Sequence, residues 1–231
     1  NNVTGVKALA ASTFISGNKI YSNTVGILGI EYYSDFGGHI VNNVLYDNSD
    51  TGIQLSGAGV YSNSTPTVVN NTIYQSVGDA LKISGSSTDV LVRNNIIWVD
   101  SGYAMNIASN SLTNFTSDSN LFYFGTGNAK LAIIDTAIYA DLSAWQTGRS
   151  FDNSSLVDNP LFVDIDGADN ILGYNLAGIG YDGGVDDNFY LTSDSPAIDR
   201  ADSWNASRTD YSGAPKIDDP DAVNAGTDDY F

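Results

Sequence analysis

Five times in the 231-residue chain a Tyr or Trp stands three positions after an asparagine. The pairs are Asn18 and Tyr21, Asn43 and Tyr46, Asn71 and Tyr74, Asn95 and Trp98, and Asn120 and Tyr123. Rings repeated on one face would form a column. Tyr and Trp rings can stack on a sugar ring while their O–H or N–H takes a hydrogen bond. The plainer alternative is that aromatics favour strands and pair with their cross-strand neighbours. A second candidate is Glu31–His39, EYYSDFGGH, which holds the only His and the only Glu beside Tyr32, Tyr33 and Asp35. These side chains can pass protons if they converge within hydrogen-bond reach. A third is a pair of acidic turns, DIDGADN from Asp164 and YDGGVDDN from Tyr181. Asp164, Asp166, Asp169, Asp182, Asp186 and Asp187 offer the hard oxygen ligands that Ca2+ takes, and such an ion would be structural. The first turn is no EF-hand, because position 12 from Asp164 is Asn175 rather than Glu.

Composition narrows the choices. Nine Lys and Arg face 27 Asp and Glu, for a net charge of −18. Phosphate binding needs a basic footprint, so nucleic acid is excluded as a partner, and anionic lipid surfaces are disfavoured. The absence of Cys removes disulfides and thiol chemistry, and a single His, His39, makes an all-protein zinc site untenable. No apolar run is long enough to span a bilayer. The opening NNVTGVKALAAS reads as the middle of a longer protein, with further domains in the parent chain. Nearly all the acid is Asp, which with Asn, Gly and Ser favours turns over helix.

The repeat determines the architecture. The five Asn recur at intervals of 25, 28, 24 and 25 residues, a solenoid period. A second alternating run follows each copy: VGILGI, TGIQLSG, DALKISG and YAMNIAS. Period 2 turns Ile27, Ile53, Leu81 and Met105 inward, with Ile30 or Leu55, Ile83 and Ile107 nearby, and Gln54, Lys82 and Asn106 outward. Three short strands and three turns per repeat make one coil of a parallel β-helix, stacked about 4.8 Å above the last. Stacked Asn side chains would hydrogen-bond up the stack as a ladder, and Asn tolerates the left-handed conformation its turn requires. Residues 16–125 are the regular coils. Residues 126–160 are a variant coil with TAIYADLSAWQ as its helix, and residues 161–231 form an irregular Asp-rich coil that caps the strand edges at the end.

These units resemble the right-handed parallel β-helix repeats of bacterial secreted proteins in the pectate-lyase-like superfamily. DLSAWQTGRSFDNSSLVDNPLFVD (Asp141–Asp164) and NFYLTSDSPAIDRAD (Asn188–Asp202) are similar to the closing segments of many of them. The resemblance implies a single all-β domain, right-handed, secreted or at the cell surface. It also implies a polysaccharide as partner. The first expectation is a carbohydrate-binding module with Tyr21, Tyr46, Tyr74, Trp98 and Tyr123 as its sugar platform. The alternative is a lyase or uronan epimerase using Tyr33, Asp35 and His39 on a proton, with Lys82 neutralising a carboxylate. A structural stalk or adhesin segment is the third.

Overall fold

The structure, a computed structural model, describes residues 2–31, 35–61, 64–175, 180–203 and 206–220. Three sheets of mainly parallel strands run along one axis. Sheet A has seven strands, from Thr4–Ala8 through Val25–Ile30, Thr51–Ser56, Asp79–Ser84 and Tyr103–Ile107 to Lys130–Ile134 and Ala137–Tyr139. Sheet B has five, from Phe14–Ser16 to Thr116–Asp118, and sheet C six, from Lys19–Tyr21 to Leu156–Val157. The chain visits A, B and C in turn, so each circuit is one coil.

Register confirms the period-2 reading. Ile27, Ile53, Leu81 and Met105 lie side by side in sheet A and are fully buried. Leu28, Gln54, Lys82 and Asn106 form the outward row beside them. Ile30 departs from expectation: it pairs with Ser56 on an outward row, and Gly29 takes the core position opposite Leu55. A Cβ on Gly29 would meet Leu55 Cδ2 and the Phe36 ring at 2.9 Å. Phe36 fills that gap and is fully buried, so the excursion after sheet A's second strand plugs the core.

The ladder forms as expected. Asn18, Asn43, Asn71 and Asn95 each donate Nδ2–H to the Oδ1 of the next Asn at 2.9–3.1 Å. The left-handed residue, however, is the one before each ladder Asn. Gly17, Asn42, Asn70, Asn94 and Ser119 have φ of 69, 57, 58, 56 and 57°. Each Asn-Asn pair thus divides its work: the first turns the chain, the second carries the ladder. A second, shorter ladder of Asn23, Asn48 and Gln75 binds the next corner.

The helix, α1, spans Leu142–Arg149; the TAIY before it is an antiparallel strand on sheet A, not helix. Asp141 caps α1 by accepting from Ala144 N–H, which sets its start. Its fully buried Trp145 closes the end of the solenoid and donates Nε1–H to Asp152 at 2.9 Å. Asp152 also accepts from Asn120 Nδ2–H and Ser155 Oγ–H, so it terminates the ladder. The end cap is therefore α1, and the long C-terminal segment lies elsewhere. It folds back along the outside of sheet C: Phe162 lies beside Trp98, Tyr174 N–H reaches Ser22 Oγ, and Lys19 Nζ donates to Gly184 O and Asp187 O. It then returns past Arg93, which pairs with Asp202, and Asn42, which donates to Thr209 O.

Candidate functional site

The aromatic column exists, in register, on the outer side of sheet C. Outward does not mean exposed here. Tyr46 is completely buried and Tyr74 nearly so, because Phe189 and Phe162 of the C-terminal segment lie on the column. Ring centroids stand 4.7 Å apart for Tyr46 and Phe189 and 5.3 Å for Phe162 and Phe189. Polar handles are spent as well. Tyr74 O–H and Trp98 Nε1–H both donate to Asp100, and Tyr21 O–H donates to Asp182. Burial pushes the Tyr21 hydroxyl up to about 12 and those of Tyr46 and Tyr74 further. Tyr21, Trp98 and Tyr123 keep only partial exposure. The column as a sugar platform is thus corrected: its rings form a second small core under the C-terminal segment.

The proton-transfer set does not assemble. Asp35 is buried and accepts from Tyr61 N–H at 2.9 Å, a loop-fastening role. His39 stands exposed on the outside of sheet B, its Nδ1 2.8 Å from Thr67 Oγ1, with the Phe14 ring 5.9 Å away. Lys82 lies on the outside of sheet A, so the solenoid core separates it from His39. Tyr33 lies outside the described residues.

The six aspartates divide into unconnected jobs. Asp186 accepts from Ala168 N–H, Asp169 from Ile171 N–H, Asp182 from Tyr21 and Asp187 from Gly173 N–H. Desolvation raises the Asp164 carboxyl, and the neighbouring Asp166 and Asp186 raise it further. Among the described residues no three His, Cys, Asp or Glu side chains converge as a metal cage requires. The six as placed therefore do not fit one caged Ca2+.

A further cavity lies where sequence reasoning did not point. It is a groove of about 420 Å³ between the ladder corner of sheets B and C and the returning C-terminal segment. The coils supply a wall of neutral side chains such as Asn70, Asn94 and Ser119. The segment supplies Tyr190, Tyr211, Arg200 and Lys216. Tyr190 is 45% exposed and its ring lies 5.5 Å from that of Tyr211. On the strand Asn188–Leu191, alternation sends Phe189 into the aromatic column and Tyr190 out to the groove. The returning strand is built by that single inward anchor. The sequence carries no period here, so nothing marked these residues as a site in advance.

Several acids bear on stability. Burial raises the carboxyls of Asp47, Asp152, Asp187 and Asp199 above their ordinary value of 3.8, outweighing the donors that lower them. Between that value and the raised ones the folded chain holds more protons than the unfolded chain. Stability then grows as pH falls from neutral toward the acid range, and is lost as pH rises through the folded values. Relief of the −18 charge acts in the same direction. We expect the melting temperature to be higher near pH ~5 than near pH ~8, as read by circular dichroism at constant ionic strength.

Stacked parallel coils, an internal Asn ladder and an end helix define a β-solenoid. Residues 1–143, more than half of the chain, match the family model described as "Right handed beta helix region", and the chain belongs to that family. No curated protein and no solved structure matches it.

Proposed function

We propose that the protein binds polysaccharide, and that it does so in the groove between the ladder corner and the C-terminal segment. The observation that carries this reading is the groove itself. Its volume of about 420 Å³ falls in the range of ligand pockets, and it joins exposed ring faces to amide, hydroxyl and charged groups. Sugars need that mixture: C–H faces against rings, hydroxyls against polar side chains. The groove also runs along several coils, so it suits a chain better than a compact small molecule. A secreted or cell-surface setting belongs to the same reading.

The test is retardation in native gels containing a panel of neutral and acidic polysaccharides. Tyr190→Ala should abolish retardation by a glycan that binds, with an unchanged far-ultraviolet spectrum, since Tyr190 faces the groove. Retention of binding by this variant, or no retardation by any glycan, overturns the reading. The same incubations decide the lyase alternative: unsaturated product absorbs in the ultraviolet, and a reproducible rise would make the protein an enzyme.

A further inference from the structure

Resting on the glycan reading, we propose that the Lys216 and Arg200 end of the groove is an anion subsite for carboxylate or sulfate groups on the bound glycan, occupied at neutral pH and emptied in alkali.

Three observations converge. First, two of the nine basic residues of a strongly acidic chain line one cavity. Second, neither cation is matched by a carboxylate. The only ion pair among the described residues is Arg93 with Asp202, where the segment is clamped to the coils. Third, the acids of the groove are already used. Asp210 accepts from Ser212 N–H, Ser212 Oγ–H and Ala214 N–H, which closes its turn. Asp199, buried, accepts from Asp219 N–H. Lys216 is half-buried with no carboxylate paired to it among the described residues, and an anionic ligand would give its ammonium a charge-assisted partner.

The pH limb follows from the groups that face Lys216. Desolvation pulls its amine down to about 8, and Asp210 opposes that pull. Asp199, Asp210 and Arg200 line the groove with it. Asp218 and Asp219 stand near Asp199. The Tyr211 hydroxyl, held up to about 12 by burial and by Tyr190, stays neutral. Arg208 meets Lys216 through its carbonyl, which accepts Lys216 N–H. The coil wall offers only Asn, Ser, Thr and aliphatic side chains. With its amine at about 8, Lys216 loses its charge between about pH 7 and 9.5. An anion binds the protonated form better, and by linkage raises the amine's affinity for its proton.

The experiment uses three forms of one polymer: dextran, carboxymethyl-dextran and dextran sulfate, in affinity electrophoresis at fixed ionic strength. At pH ~7 the charged dextrans should bind about tenfold or more tighter than dextran, the scale of one charge-assisted hydrogen bond. At pH ~9.5 that preference should fall to the level of Lys216→Ala, while Lys216→Arg keeps it at both pH values. Lys7→Ala, a cation on the outer face of sheet A, controls for net charge and should behave as wild type. Absence of retardation by both charged dextrans overturns the subsite, whether or not neutral glycans bind. So does a preference that ignores pH or survives Lys216→Ala. Failure of the glycan reading is read separately, from the neutral panel and Tyr190→Ala.

Discussion

Asn95→Ala should destabilise the fold by about 3–5 kcal/mol, read as a drop in the urea midpoint at unchanged slope. Asn95 is buried in mid-ladder. Its Nδ2–H donates to Val68 O at 2.8 Å and to Asn120 Oδ1 at 3.0 Å. Its Oδ1 accepts both Asn71 N–H and Asn71 Nδ2–H. Alanine removes all four bonds and strands a backbone N–H and a carbonyl away from water. Each stranded group costs about 1–3 kcal/mol, and the void adds to this. Asn18→Ala is the internal control. Asn18 makes the same bond to Asn43 from the exposed first coil, where water replaces what is lost. Its cost should be about 1 kcal/mol or less. Equal costs at the two positions would mean that the ladder stabilises by something other than buried satisfaction.

Phe189→Ala should free the C-terminal segment. The Phe189 ring is buried between Tyr46 and Phe162, and it is the inward residue of the strand that carries Tyr190 into the groove. Truncating a buried Phe costs about 3–5 kcal/mol. The solenoid has its own core and its own end cap, α1, so the loss falls on the segment rather than on the coils. Trypsin reports it, because Arg200, Arg208 and Lys216 all lie in the returning run. Cleavage there should accelerate by at least about tenfold, since proteolysis follows the population of the opened form. The coils should stay intact. Tyr190→Ala, one residue away and facing out, should leave the trypsin rate near wild type while removing glycan binding. If Phe189→Ala leaves cleavage unchanged, the hydrogen bonds from Lys19, Asn42 and Asn94 hold the segment without the aromatic anchor.

These two sites also mark what could be read in advance. Asn95 was legible as a ladder residue because each coil repeats the same local problem, and spacing alone aligns its solutions. The inward row Ile27, Ile53, Leu81 and Met105 was legible for the same reason. Finer assignments missed where one coil departs from its neighbours. Gly29 displaced Ile30 from the core because Phe36 arrives from outside the repeat. The helix began at Leu142, where Asp141 offers a cap, rather than at the TAIY that sheet A captured.

By itself the sequence determined the solenoid: the period, the ladder, the direction of every aromatic in the column. Those depend on contacts about one coil apart, and a coil is short enough for its pattern to repeat in view. Only the tertiary structure decided what the column is for. Tyr46 points outward as predicted, yet it is buried, because the C-terminal segment crosses 138–168 residues of chain to reach the first coils. Bonds of that span, from Lys19 to Asp187 or from Tyr46 to Gly184, have no period to announce them. The same return path sets Tyr190, Arg200 and Lys216 along the ladder corner. The candidate site is therefore completed by a part of the chain that does not repeat.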